Sequence, residues 1–170
     1  MHNKVVFRAA AALNDAGLIT LRINFRGVGQ STGTHDYGTG ELEDAKTGLE
    51  YLAREYPQQP IVVCGFSFGA RMGMEVGLED ERVKQLISIG TPIDKYDFEF
   101  LENCCKPLLL VHGEHDEFGD VNELRKLVEK IAQNCPVKLV VVPNAGHFFE
   151  GALDQLKQAI NEWLSLQLAT

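Results

Sequence analysis

Residues 61–70 read Ile-Val-Val-Cys-Gly-Phe-Ser-Phe-Gly-Ala, and no other stretch limits the possible folds as strongly. An apolar, β-branched run breaks into Gly65-Phe66-Ser67-Phe68-Gly69, which has the spacing G-x-S-x-G. A short run with no polar alternation is the pattern of a strand buried on both faces. The residues after it, Phe68 to about Leu78, can continue as a helix. The chain must therefore turn sharply from strand to helix at Ser67. Such a turn holds the serine in a strained backbone conformation and leaves its hydroxyl exposed at the end of a sheet. Gly65 and Gly69 are read as positions too close to neighbouring backbone to carry a Cβ. The plainer reading of so short a pattern is an ordinary turn with a bystander serine. The strand before it and the helix after it favour a nucleophile.

The rest of the chain alternates in the same way. Val5, Val6, Ala9, Ala12 and Leu13 mark a helical stripe that stops at Gly17. Leu18–Ile23 reads as a strand, followed by a glycine-rich loop from Phe25 to Gly40. Leu42, Ala45, Leu49 and Leu52 mark a helix that ends before Pro57. Strands are expected at Gln85–Ile89, Leu108–Val111 and Val137–Val142. Helices are expected through Val121–Ile131 and from Leu153 to Leu164. Short apolar strands separated by helices imply one domain over residues 1–170, a three-layer α/β/α arrangement around a mostly parallel sheet of about five strands. Residues 91–106 form a longer, cap-like loop.

Composition excludes several classes of function. With 45% hydrophobic and 24% charged residues the chain reads as globular, and its net charge of −8 argues against nucleic acid or an anionic membrane as partner. No apolar run approaches the ~20 residues of a membrane helix. The start, Met1-His2-Asn3-Lys4, lacks the order of a signal peptide. Cys64, Cys104, Cys105 and Cys135 have no C-x-x-C spacing and read as reduced thiols of a cytoplasmic protein.

In an open parallel sheet the site lies beyond the carboxyl ends of the strands. Ser67 follows one strand, His112-Gly113-Glu114-His115-Asp116 follows another, and Pro143-Asn144-Ala145-Gly146-His147 follows a third. Nucleophile, acid and base thus stand at three strand ends in the chain order Ser, Asp, His. Asp116 has two rivals, Asp94 and Asp120. His147 is the expected base, since His2 and His35 follow no strand. His112 reads as a structural, hydrogen-bonding histidine, and His112 with His115 lacks a third ligand for a metal. No cofactor is implied. Arg26 is expected to tie down its own loop, and Gly27, Gly29 and Gly33 to serve turns. A dinucleotide fold is disfavoured, because the loop from Phe25 to Gly40 is too long for its glycine fingerprint.

These segments together resemble the serine α/β-hydrolases, and more narrowly the small bacterial hydrolases related to dienelactone hydrolase. The resemblance rests on residues 24–33, 65–70, 112–117 and 146–149 and runs from Asn3 to Trp163. It implies catalysis by Ser67, Asp116 and His147, with the Phe68 N–H as one oxyanion donor and a small acyl compound as substrate. Where dienelactone hydrolase has a cysteine nucleophile, this chain has Ser67. In that family a second oxyanion donor comes from a Gly-Gly loop preceding the equivalent of Asn3-Lys4. The chain therefore reads as truncated at its N-terminus, with three strands missing and a gap between Leu18–Ile23 and the strand at Ile61. The two edges would close up, or another chain would fill the gap, as in a homodimer. Three chemistries follow: hydrolysis of small carboxylic esters; acyl transfer or perhydrolysis on the same triad; or a catalytically impaired remnant that acts as a binding module. Tyr96, Phe98 and Phe100 either line the acyl pocket or seal the core.

Overall fold

The computed structural model describes residues 3–167; His2 lies outside them. Helix α1 (Lys4–Asp15) begins at Asn3, whose side chain accepts hydrogen bonds from the Val5 and Val6 N–H groups at 2.9 and 3.2 Å. It ends at Gly17, where φ is +82°. Helix α2 (Thr39–Glu55) starts over the buried carboxylate of Glu41, which accepts from the N–H groups of Gly38 at 2.8 Å and Asp36 at 2.9 Å. Then come β1 (Ile61–Phe66), α3 (Phe68–Glu79), β2 (Val83–Ile89), a 3₁₀ turn (Glu99–Asn103) and β3 (Leu108–Gly113). Helix α4 (Val121–Ile131), β4 (Val137–Val142) and α5 (Leu153–Gln167) complete the order.

The four strands form one parallel sheet in the order β1-β2-β3-β4. Val63 pairs with Leu86, Ile87 with Leu109, and Leu110 with Leu139. Both faces are covered. Ile87, Ile89, Leu109 and Val111 pack under α1 and α5 with Leu156, Ile160 and Trp163. Leu86, Leu108 and Leu110 pack under α2, α3 and α4 with Met74, Leu124 and Ile131. This two-sided burial is why the strands read as continuous apolar runs rather than alternating ones. The three-layer α/β/α arrangement agrees with the expectation.

Among the described residues the sheet has four strands, where about five were expected. Residues 18–25 run without regular structure, and among the described residues no strand pairs with them. Ile19, Leu21 and Ile23 are exposed, at 64%, 40% and 40%. The physical reason is separation. A cavity of about 700 Å³ lies between residues 17–25 and β1, so neither side can complete a ladder. The two edges do not close up.

The reading of the flanking glycines also needs correction. A Cβ on Gly65 would lie 2.6 Å from Ala70 Cα and strike the Gly69 carbonyl, so this glycine is required by the close approach of backbone. A Cβ on Gly69 would meet nothing nearer than a Phe25 ring carbon at 3.9 Å. Gly69 is therefore not imposed by crowding. Gly65→Ala should destabilise the fold by about 3 kcal/mol, whereas Gly69→Ala should stay within about 1 kcal/mol of the parent. Urea unfolding of the two variants checks the contrast.

Candidate active site

Ser67 is the joint between β1 and α3, with φ +55° and ψ −123°. A non-glycine residue there costs of order 1–3 kcal/mol and persists only when its surroundings fix it. They do so on both sides. The Ser67 N–H donates to the Ile89 carbonyl at 3.0 Å, and the Ser67 carbonyl accepts from the Ala70 and Arg71 N–H groups at 2.9 and 3.2 Å. Phe68 opens α3, so its N–H belongs to the first helical turn, which has no intrahelical acceptor. That N–H lies beside the serine at the positive end of the helix dipole.

Ser67 Oγ is 2.8 Å from His147 Nε2, and His147 Nδ1 is 3.0 and 2.9 Å from the two Asp116 carboxylate oxygens. A carboxylate can only accept, so Nδ1 carries the proton and Nε2 is left to accept from the serine hydroxyl. His147 and Asp116 are buried, at 3% and 8% exposure. Three rings enclose the imidazole: Phe118 at 4.6 Å, Phe66 at 4.9 Å and Phe148 at 5.1 Å between centroids. They exclude water and limit rotation of the base.

The turns that carry Asp116 and His147 hold each other. Glu114 N–H donates to the Val142 carbonyl at 3.0 Å and His115 N–H to the Ala145 carbonyl at 2.8 Å. In return, the Glu114 carboxylate accepts from Asn144 N–H at 2.9 Å and the Glu117 carboxylate from His147 N–H at 3.3 Å. Asp116 also accepts from Phe118 N–H at 2.9 Å, which fixes its rotamer. A Cβ on Gly113 would lie 2.5 Å from the Ala145 carbonyl oxygen and 2.7 Å from that of Gly146. From the sequence, Gly113, Glu114 and Glu117 counted only as part of the 112–117 segment, with no role of their own, and Phe118 was not singled out. The available signal was their position directly after a strand already credited with Asp116.

The remaining candidates fall into place. Asp120 caps α4 by accepting from Asn122 and Glu123 N–H groups, and its own N–H donates to Asp94 at 3.1 Å. Both rivals are thereby engaged in a loop-to-helix contact apart from Ser67 and His147. His112 is fully buried and its Nε2 lies 2.8 Å from the Gly119 carbonyl oxygen, so it closes the turn beneath Asp116. The His115 side chain is 67% exposed and faces away from the triad toward Glu114. His35 pairs with Glu41 at 2.7 Å. Arg26 does tie down its own loop, with Nη2 donating to Asp44 at 2.8 Å and Nε at 3.1 Å. Its guanidinium passes so close to Gly40 that a Cβ there would collide with it. Gly27, Gly29 and Gly33 have φ of +73°, +63° and +84°, as turn glycines do.

Of the aromatic residues in 91–106, Phe98 is buried in the core and stacks on Phe100 at 5.9 Å, so these two seal the core. Tyr96 instead approaches Phe68 at 5.8 Å, opposite Phe25 at 5.6 Å. The four cysteines are free thiols. Burial pushes the Cys64 thiol up to about 12, and burial with neighbouring thiols pushes Cys135 up to about 12 as well. Neither is a thiolate near neutral pH. Among the described residues no cluster of three potential ligands could hold a metal ion, and no helix is long and apolar enough to cross a membrane.

Residues 1–162 match the alpha/beta hydrolase domain family. The chain belongs to that family. It is 40% identical to an alpha-beta serine hydrolase homologue from Coxiella burnetii, with TM-score 0.89 over 95% of this chain and 76% of that one. It is 34% identical to a serine hydrolase without a lid from Xanthomonas campestris, with TM-score 0.86 over 95% of this chain and 72% of that one. A Rickettsia prowazekii protein described as uncharacterised is 36% identical over 96% of this chain and 72% of its own length. This kinship supports hydrolase activity.

Two outcomes follow from the geometry. Gly113→Ala should push the His147 turn outward and lower kcat about 100-fold with little change in far-ultraviolet circular dichroism. The Arg26 hydrogen bonds hold the Asp44 carboxyl below the usual carboxylate range. A depressed folded pKa gives stability that is present above the unfolded value of about 3.9 and is lost as pH falls through the folded one. Asp44→Asn should therefore flatten the acid limb of a stability–pH curve below about pH 4, read by urea unfolding.

Proposed function

We propose that the protein is a serine hydrolase of small carboxylic esters, working through Ser67, His147 and Asp116. The observation that carries this reading is the continuous hydrogen-bonded line from Ser67 Oγ through both imidazole nitrogens to the Asp116 carboxylate. Ser67 Oγ attacks the acyl carbonyl carbon while its proton passes to His147 Nε2. The carbonyl π electrons move onto oxygen, and the Phe68 N–H donates to the resulting oxyanion. Such a donor is worth ~3–4 kcal/mol in the transition state. The tetrahedral intermediate collapses by breaking the bond to the alcohol oxygen, which takes the proton from His147. Water then attacks the acyl-serine by the same route, and the carboxylic acid leaves. Asp116 holds the Nδ1–H tautomer throughout and stabilises the imidazolium.

The substrate class is inferred from the walls of the cleft. The short 91–106 segment sends Tyr96 to 5.8 Å from Phe68, and the 25–40 loop brings Phe25 and His35 to 5.6 and 5.5 Å from the same ring. The rings of Phe25, Phe68 and Tyr96 give these walls an apolar face, which favours short acyl groups.

A fluorophosphonate probe tests the nucleophile without assuming a substrate. Mass spectrometry should find the adduct on Ser67, and His147→Ala should abolish it. With p-nitrophenyl acetate and butyrate, Asp116→Asn should lower kcat by about 10⁴ through loss of the correct tautomer. A folded protein whose Ser67 does not react would sink the proposal.

A further inference from the structure

Two consecutive side chains flank the hydrogen-bonded line from Ser67 to His147. Lys95 Nζ lies 5.7 Å from the Phe118 ring centre, and Phe118 meets the His147 imidazole at 4.6 Å. Tyr96 turns the other way, to 5.8 Å from Phe68, the residue after the serine. The turn that carries them is anchored. The N–H groups of Lys95 and Tyr96 donate to the Pro92 carbonyl at 3.0 and 3.1 Å, and the Asp94 N–H donates to the Phe118 carbonyl at 3.1 Å. The Asp120 N–H returns a bond to the Asp94 carboxylate at 3.1 Å. Lys95 is thus set against the turn that follows Asp116.

The chemistry proposed above divides the cleft into two halves. The acyl oxygen goes to the Phe68 N–H, and the departing oxygen must come to His147 Nε2 to take its proton. The alcohol part of an ester therefore lies along the rings beside the imidazole, Phe118 and the half-exposed Phe148. A cation stands at the rim of this half. Lys95 is exposed, and among the described residues no carboxylate forms an ion pair with it. The acidic residues of the adjoining segments are engaged by backbone: Asp94 by the Asp120 N–H, Asp97 by the Glu99 N–H at 2.7 Å, and Glu117 by the His147 N–H at 3.3 Å. The ammonium rests on a ring face instead.

We propose that Lys95 is a specificity-determining residue that recognises a carboxylate on the alcohol part of the ester; this rests on the hydrolase reading. An ammonium is a compact point charge with rotatable donors, so it can meet an anion without a fixed fork geometry. One ammonium balances the single charge of a carboxylate, whereas a phosphate monoester carries more than one. In a chain of net charge −8 an anionic substrate meets overall repulsion, and a local cation at the mouth is what admits it.

The test compares phenyl acetate, p-carboxyphenyl acetate and monophenyl succinate, whose carboxylate is on the acyl side. The readout is the kcat/KM of each charged ester relative to that of phenyl acetate. For p-carboxyphenyl acetate, Lys95→Met should lower this ratio about fivefold and Lys95→Glu should lower it further, through KM rather than kcat. The effect should fade in about 1 M salt, where the screening length falls to about 3 Å. Lys84→Met removes the same charge at the amino end of β2 and should leave the ratio as it is. A ratio untouched by both Lys95 variants, or lowered equally by Lys84→Met, overturns the proposal. So does a loss on Lys95→Met seen with monophenyl succinate instead, which would assign the cation to the acyl side. Turnover of no ester by the wild-type protein would overturn the hydrolase reading and this one with it, whereas turnover without charge discrimination overturns this one alone.

Discussion

The contact on which this molecule most depends is that of Gly65 with the first turn of α3. Gly65 carries no Cβ, so the helix backbone at Gly69 and Ala70 can lie directly against the end of β1. The chain then has a single residue in which to reverse from strand to helix, and that residue is Ser67. Its positive φ and the position of the Phe68 N–H beside it are both consequences of this one approach. The strain is met by hydrogen bonds from Ser67 to β2 on one side and to α3 on the other. A parallel sheet then brings the carboxyl ends of β3 and β4 to the same edge, so His147 and Asp116 arrive by topology rather than by local sequence.

The His-Gly-Glu-His-Asp-Glu segment makes sense only in three dimensions. Asp116 faces the imidazole, while Glu114 and Glu117 accept the backbone N–H groups of Asn144 and His147. Two carboxylates thus position the turn that carries His147, and the third meets its imidazole. His112 closes the segment from below through Gly119. The Asn144 φ of +55° and the Phe149 φ of +52° bracket His147, so its turn is held in a conformation it would not keep alone. The clasp between the two turns is what makes the imidazole position a property of the sheet.

Much of this was legible in the sequence because burial leaves a mark that chemistry can be read against. Ser67, Asp116 and His147 each follow a strand whose apolar continuity is plain, and position after a strand is what separated them from other residues of their kind. The choice between Asp116, Asp94 and Asp120 was harder. It turns on Asp94 accepting from the Asp120 N–H, a contact between loops that no local pattern encodes. Leu18–Ile23 failed as a strand for a related reason. Its apolar residues report that a side chain has a hydrophobic neighbour, here α2 through Gly48, and say nothing of whether its backbone has a ladder partner. Gly69 was misjudged because the motif gives both glycines equal standing, while only Gly65 meets backbone.

The open edge of β1 leads directly into Ser67. β1 is held through its odd peptide groups to β2, and its even groups face the cavity. Ser67 continues that odd series, so the bond that fixes it to β2 is the last rung of a ladder that, among the described residues, is anchored on one side.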